Sequence, residues 1–308
     1  MSKILLTGST GFIGKELCQS IIKHTEFELC KVVRNNNSSD SNSFIVGEFN
    51  SDTDFSSALE GVSVVIHLAA VAHSNYSSST DAAKSYKSCN VDATLALAKQ
   101  ASEQGVSRFI FLSSIGVNGN SNCVPFTPLD LERPVDDYAK SKYEAEVALR
   151  ELYKSKKMEV VIIRPPLVYG KNAPGNFGTL LKVAKKNLPL PLGAINNKRS
   201  FVAIDNLVDL IVTCIDHPNA VNQTFLVSDD EIISSSDLLK NLTLAAGKKP
   251  WLWPVPVSYL MFVASIFGKK AAIEKLSSSL TVDIEHTKST LSWKPPITLD
   301  EGIRRCFE

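Results

Sequence analysis

Tyr138 and Lys142 stand four residues apart in YAKSKYEAEVALREL, a segment of strong helix formers, so the two side chains share one helical face. An ammonium beside a phenol favours the phenolate and lowers its pKa, which gives an acid or base usable near neutrality. Taken alone, the spacing also occurs on solvated helices. It gains weight from Ser114, at the end of the apolar run RFIFLSS, and from a glycine-rich turn at the start of the chain. That turn is Thr7-Gly8-Ser9-Thr10-Gly11-Phe12-Ile13-Gly14. Glycines at 8, 11 and 14 permit a tight turn, close backbone approach to a pyrophosphate, and close packing of helix on strand. The helix that follows offers unpaired N–H groups to an anion. Together these residues point to proton and hydride chemistry on a bound dinucleotide.

The elements needed to position them are legible as alternation. Short β-rich apolar runs (KILLT, ELCKVV, SFIV, VSVVIHLAA, RFIFLSS, EVVIIR) recur with helical stretches between them, as in a parallel sheet covered on both faces. One long helix is expected over Asp81 to Gln104, closed by Gly105. After Arg164 the prolines and glycines of PPLVYG, NAPGNFG and LPLPLG break the pattern, and a second domain is placed there. A helix at Asp205 to Asp216 and a strand at Gln223 to Val227 return to the first sheet. The expected fold is α/β: a Rossmann-type doubly wound parallel sheet in residues 1–164 plus about 203–228, with a smaller, mixed α/β substrate-binding domain in about 165–202 plus 229–308. The run NNNSSDSNS, from Asn35 to Ser43, reads as a solvated loop.

Composition narrows the function. The chain has 308 residues, 44% of them hydrophobic, and balances 33 Lys and Arg against 32 Asp and Glu, so no net field would hold nucleic acid or an acidic membrane. A diffusible small-molecule substrate fits better. Six cysteines, at 18, 30, 89, 123, 214 and 306, form no CxxC pair and no cluster with metal spacing, which suits reduced thiols in a cytoplasmic protein and gives no metal site. The apolar run from Trp251 to Phe267 (WLWPVPVSYLMFVASIF) is almost long enough to span a bilayer, at roughly 20 residues. Pro254 and Pro256 shorten its helical part, so it is read as a buried helix or a lid over a substrate site, against membrane association.

The GxxGxxG spacing, HLAA at 67–70, Asn90-Val91, SSIGVNG at 113–119, YAKSK at 138–142, RPPLVYG at 164–170 and RSFVAIDNL at 199–207 resemble, in order, the extended short-chain dehydrogenases. That family includes nucleotide-sugar epimerases, dehydratases and reductases, and the resemblance spans nearly the whole chain. It implies a nicotinamide dinucleotide held by Gly8, Thr10, Gly11, Phe12, Ile13, Gly14, Arg34, Glu48, Phe49, Leu68, Ala69, Ala70, Asn90, Tyr138, Lys142 and Pro165. Lys142 would bind the nicotinamide ribose, and Ser114, with Ser113 as its alternative, would hydrogen-bond the reacting oxygen. Substrate contacts would fall on Ser114, Tyr138, Asn176 and Arg199, with Arg199 near the nucleotide diphosphate. The uracil-binding stretch maps on Leu190 to Gly193, whose backbone would pair with the base edge. A salt bridge from Arg199 to Asp205 is the competing reading. His67 is expected to pack beside the cofactor rather than react, His73 flanks the same strand, and no role falls to His24, His217 or His286. Members of the family often pair as homodimers through the helix carrying this tyrosine.

Two departures bear on chemistry. The second strand ends VVRN without the acidic residue that accepts from the ribose hydroxyls of NAD, and Arg34 suits a 2′-phosphate, so NADP(H) is favoured, with NAD(H) the alternative. Dehydratases carry an adjacent Asp-Glu pair where this chain has Ile115 and Gly116, so elimination lacks its proton carriers. The resemblance is nearest to bacterial UDP-sugar enzymes of surface-polysaccharide synthesis. The leading reading is a 4-keto reductase acting at C4 of a UDP-hexose. A UDP-sugar 4-epimerase with retained NAD uses the same residues. A reductase of a non-sugar ketone and a cofactor-binding redox sensor stand further off, the last opposed by the intact Ser114, Tyr138 and Lys142.

Overall fold

The computed structural model describes residues 2–24, 27–35, 42–72, 79–155 and 158–308. Most of the expected Asn- and Ser-rich loop (36–41), and His73, lie outside these residues. In chain order the strands are β1 (Lys3–Thr7), β2 (Glu28–Val33), β3 (Ser43–Ile45), β4 (Val62–His67), β5 (Arg108–Leu112), β6 (Glu159–Arg164), β7 (Leu167–Tyr169), β8 (Arg199–Ala203), β9 (Thr224–Leu226) and β10 (Ile232–Ile233). The helices are α1 (Phe12–His24), α2 (Ser79–Tyr86), α3 (Ala93–Glu103), α4 (Asp137–Ser155), α5 (Gly175–Lys186), α6 (Ile204–Asp216), α7 (Ser235–Ala245), α8 (Val257–Ile266), α9 (Lys270–Ser277), α10 (Glu285–Leu291) and α11 (Leu299–Arg305).

Seven strands form one parallel sheet in the order β3-β2-β1-β4-β5-β6-β9, and β10-β8-β7 form a small sheet in which β10 runs antiparallel to β8. The alternation of β-strand side chains divides the apolar runs between two faces. Ile4, Leu6, Ile66, Ile110 and Ile163 pack on one side with Leu17 and Ile21 of α1 and Leu207 and Ile211 of α6. Leu5, Val65, Phe109, Phe111 and Ile162 pack on the other with Leu97 and Ala98 of α3 and Ala145 and Leu149 of α4. Near-continuous hydrophobicity in these strands is thus the signature of burial on both faces. Successive crossovers leave β1 in one direction and β4 in the other, so a crevice opens between their C-terminal ends.

The long helix expected over Asp81 to Gln104 is present but interrupted. A π-helical turn at Lys87–Asp92 separates α2 from α3 and buries Asn90 and Val91. Such turns insert a residue into the i→i−4 ladder and re-aim one side chain, here that of Asn90. Gly105 follows α3 at φ +79°, the left-handed geometry a helix-terminating glycine supplies. The small sheet is covered by a separate core in which Tyr169, Phe177, Phe201, Leu239, Leu242 and Ile303 meet.

The segment from Trp251 to Phe267 differs from expectation. Only α8 is helical, Pro256 sits at its N-terminal cap, and none of its residues is buried. It packs against α9 instead of entering a core. Among the described residues no helix is long and apolar enough to cross a membrane.

Candidate active site

Gly8 holds φ +74°, and its carbonyl accepts from Gly11 N–H at 3.0 Å, closing the turn from β1 into α1. A Cβ on Gly8 would lie 2.7 Å from Ala69 N, and one on Gly14 would lie 2.1 Å from Gly8 O. The turn is therefore pressed against the end of β4 with no room for any side chain. Behind it runs a buried relay. Thr94 Oγ1 donates to Asn90 O (2.9 Å), so it accepts from His67 Nε2–H (2.9 Å). The other ring nitrogen, Nδ1, then accepts from Thr7 Oγ1–H (2.7 Å), whose oxygen takes Ala69 N–H (3.2 Å). Burial, helped by the charge of Lys142, pushes His67 down to about 3, so it stays neutral. Its ring stacks on Phe49 and Phe111, as packing rather than reaction requires.

A cleft of about 1170 Å³ opens from this turn. Of the expected cofactor residues it brings together Gly8, Thr10, Gly11, Arg34, Glu48, Phe49, Leu68, Ala69 and Ala70, and it adds Cys89. Phe12, Ile13 and Gly14 stand at the start of α1 and do not line it; Phe12 packs into the cores instead. Asn90 acts from behind: its carboxamide accepts Val71 N–H (2.8 Å) and donates to Val71 O and Ser141 Oγ (each 3.0 Å), bracing the wall after β4. Pro165, also buried, accepts Ile115 N–H at 2.9 Å and steadies the Ser114 turn. Ser9 Oγ is buried with no hydrogen-bond partner among the described residues. A side-chain-free cradle, a helix N-terminus and an orphaned hydroxyl at one spot suit the pyrophosphate of a dinucleotide.

Of the candidate catalytic residues, Ser114 follows β5 and Tyr138 and Lys142 stand in the first turns of α4; none of the three lines the cleft. Asp136 accepts Ala139 N–H at 2.8 Å and starts the helix. One turn in, Lys142 is 2% exposed; its ammonium donates to Leu112 O at 2.8 Å and lies 4.5 Å over the Phe111 ring. Burial lowers Lys142 to about 7, against an opposing pull from Glu146. Tyr138, with the Tyr86 ring 6.2 Å away, is pushed up to about 12 by burial, with Asp136 and Tyr86 adding to it. The lowering expected from the neighbouring ammonium is absent, because Lys142 is turned to the end of β5 and its own charge is destabilised.

The two serines separate cleanly. Ser113 Oγ is buried and donates to Glu146 Oε1 at 2.5 Å. Ser114 Oγ, half-buried, accepts Gly116 N–H at 3.1 Å and donates to no described residue. A Cβ on Gly116 would already stand 3.2 Å from Ala139 Cβ and 3.3 Å from Ser114 Oγ, so the Ser114 turn sits directly against the first turn of α4. A side chain at 116 would press on both of these neighbours.

A buried network that no motif in the sequence announces lies beneath these groups. Arg164, fully buried, donates to Glu146 through Nε (2.9 Å) and Nη2 (2.5 Å), to Asn118 Oδ1 (2.9 Å) and to Glu132 Oε1 (2.9 Å). Glu146 also takes Arg150 (3.0 Å) and Ser113. The network ties α4 to β6 and to the serine pair. Its one sequence signal is that Glu146 lies four residues after Lys142 on the same helical face.

On the substrate side, Arg199 begins β8, and its Nη1 donates to Lys275 O (3.1 Å) and Ser278 O (3.3 Å). The competing bridge to Asp205 is not formed, because Asp205 accepts from Arg305 at 2.6 Å. Asn176 is exposed at the start of α5. Neither residue lines the dinucleotide cleft. The backbone of Leu190 to Gly193, expected to face a base edge, is instead paired within the chain: Leu190 N–H to Trp251 O (2.9 Å), Trp253 N–H to Leu190 O (2.8 Å), Gly193 N–H to Trp253 O (2.9 Å).

A doubly wound sheet with a glycine cradle at its switch point, and a Ser–Tyr–Lys set at the adjoining strand ends, define a NAD-dependent enzyme of the extended short-chain dehydrogenase type. The sequence matches the NAD dependent epimerase/dehydratase family over residues 4–228, and the chain belongs to that family. It is 47% identical to a UDP-glucose 4-epimerase of Vibrio cholerae, over 98% of this chain and 93% of that protein. It is 27% identical to an N-acetyl-alpha-D-glucosaminyl-diphospho-ditrans,octacis-undecaprenol 4-epimerase of Escherichia coli O157:H7, over 99% and 94%. The fold is similar to UDP-glucuronic acid 4-epimerase from Bacillus cereus in complex with NAD, with a TM-score of 0.80, 21% identity, and coverage of 99% of this chain and 97% of that one.

Proposed function

We propose that this enzyme is a UDP-hexose 4-epimerase that keeps NAD bound through turnover. This replaces the 4-keto reductase, which the sequence alone put first. The observation that carries it over the reductase is the 47% identity, along nearly the whole of both chains, to a UDP-glucose 4-epimerase; the scarcity of proton carriers argues against elimination. Beside Ser114 and Tyr138 the neighbouring positions are Ile115 and Gly116, Ser113 is committed to Glu146, and His67 is locked neutral in its relay. Such a site can move one proton on and off one oxygen, which oxidation and re-reduction at a single carbon require; elimination needs further acids and bases.

The residues around the cleft would hold the dinucleotide, with Gly8, Gly11 and the start of α1 at its pyrophosphate. When bound, it would supply acceptance of a hydride from C4 and its return. Tyr138 takes the proton of the C4 hydroxyl and gives it back, and Ser114 donates a hydrogen bond to the same oxygen. Lys142, held by Leu112 O, places a positive charge beneath that exchange and offers donors to a ribose. Burial accounts for both the depressed Lys142 and the raised Tyr138; negative charge brought in by a bound pyrophosphate would favour the ammonium, and positive charge on an oxidised nicotinamide would favour the phenolate. Arg199 and Asn176 are assigned to the nucleotide diphosphate and sugar.

One observation favours the reductase as a second reading: Arg34 lines the cleft at the end of β2, where a 2′-phosphate would sit. Analysis of the nucleotide released on denaturing protein purified without added cofactor separates the two. Near-stoichiometric NAD⁺ supports the epimerase. An empty protein that binds NADPH more tightly than NADH rejects it in favour of reduction.

A further inference from the structure

The helices α8 and α9 form a hairpin with no buried residue in either. Its roots rest on the candidate substrate residues: Trp251 to Trp253 pair with Leu190 to Gly193, and the carbonyls of Lys275 and Ser278 accept from Arg199. Along it Trp251, Trp253, Tyr259, Phe262, Ile266 and Phe267 are each about 60–70% exposed. Scattered apolar side chains on a surface are ordinary, but four large ones on α8 and its C-terminal cap, with two tryptophans at the root of the hairpin, mark an interaction site.

Charge selects the occupant. From Trp251 to Phe267 there is no charged residue, whereas Lys248 and Lys249 stand immediately before this run and Lys269 and Lys270 immediately after it. All four lysines are exposed. On α9, Glu274 is the lone acid and lies 3.6 Å from Lys270. Aromatic rings framed by lysines are the composition of a segment lying at a membrane surface, with rings at the headgroup level and ammonium groups at lipid phosphates. A second copy of this chain fits less well, because a two-fold pairing of the face brings two lysine-rich rims together. Lying on a surface requires no membrane-crossing helix.

We propose that the α8–α9 hairpin docks this enzyme on an anionic lipid surface, with the aromatic side chains entering the headgroup region and Lys248, Lys249, Lys269 and Lys270 engaging lipid phosphates. The epimerase reading is not needed for this. Docking by the hairpin sets the Arg199 side of the protein, on which its roots rest, next to the membrane.

The test is co-sedimentation of the full chain with phosphatidylcholine vesicles, with and without phosphatidylglycerol, at low and high salt, read together with tryptophan emission. Trp293 is buried, so a blue shift reports Trp251 and Trp253. The expected result is sedimentation only with phosphatidylglycerol, reversed by salt, with a blue shift. Lys248→Gln with Lys249→Gln should weaken it roughly 25-fold, at about fivefold per lysine. Phe262→Ser with Phe267→Ser should weaken it at least about tenfold. Both doubles should retain turnover and bound dinucleotide, which shows that they fold. Absence of vesicle binding overturns the proposal, as does binding unaffected by either double. A dimer that Phe262→Ser with Phe267→Ser dissolves, with no vesicle binding, assigns the face to a second copy and overturns it equally.

Discussion

Replacing Glu146 by Ala tests whether the buried network holds the catalytic helix. In the intact protein this carboxylate receives Arg164, Arg150 and Ser113 while itself fully buried. Its loss leaves the Arg164 guanidinium in the interior with Asn118 and with Glu132, whose side chain is 19% exposed and pairs less completely. Breaking a buried ion pair from one side destabilises by about 3–5 kcal/mol, and the surviving Glu132 contact puts this case near about 3. An unfolding entropy of about 2.1 cal/mol/K per residue gives roughly 0.65 kcal/mol/K for a chain of this length, so Tm should fall by about 5 °C. Calorimetry, with turnover measured in parallel, is the assay. Because α4 carries Tyr138 and Lys142, kcat should fall more than KM rises. Glu146→Leu combined with Arg164→Met, which removes both charges, should recover much of the lost Tm. A shift below about 1 °C for Glu146→Ala, or a double substitution worse than the sum of the singles, would refute this account of the network.

Tyr138→Phe should reduce turnover by about 10²- to 10⁴-fold while bound dinucleotide stays at the wild-type level; parallel loss of both would make the residue structural. Lys142 falls to about 7 in the folded protein from an ordinary value of 10.5, so the unfolded chain binds more protons between these pH values. The burial penalty is then in full force below about pH 7 and fades as pH rises, so the Tm of wild type minus that of Lys142→Met should climb between pH 7 and 10, and a flat difference contradicts the assignment. Asn90→Ala removes the brace on Val71 and Ser141 and should lower dinucleotide affinity with little change in the pH profile, as equilibrium dialysis can show. Gly14→Ala forces a methyl against Gly8 O and should abolish dinucleotide retention; a variant that still binds normally would mean the turn is not the cradle.

The sheet was legible because its signals are local. Each of the runs from KILLT to EVVIIR became a parallel strand, and Gly8, Gly11 and Gly14 announced their turn, because Gly8 combines a left-handed φ with a close approach to Ala69 and a Cβ on Gly11 or Gly14 would crowd the Gly8 carbonyl. Ser114, Tyr138 and Lys142 can be singled out as candidates by order and spacing. What the sequence withheld depends on partners far along the chain. Arg164 finds Glu146, Glu132 and Asn118 on three separate segments, and nothing in RPPLVYG discloses an arginine without solvent. The Tyr138 pKa was misread because helical spacing places Lys142 on the same face but cannot say that its ammonium turns to Leu112 O. The π-helical turn that aims Asn90 has no periodic signature, since one inserted residue leaves the flanking helical pattern intact. The run from Trp251 to Phe267 reads as a buried helix or a lid because its composition is that of a core helix; its exposure goes with α9 as the packing partner of α8.

In the proposed reaction a hydride leaves C4 and returns to C4 inside one enzyme. The most direct measurement is proton NMR of UDP-galactose incubated with the purified protein in D₂O, with no cofactor added. An epimerase converts it to an equilibrium mixture with UDP-glucose, with the C4 hydrogen retained in both sugars. Deuterium appearing at C4, or no conversion until NADPH and a 4-keto sugar are supplied, would contradict that reaction.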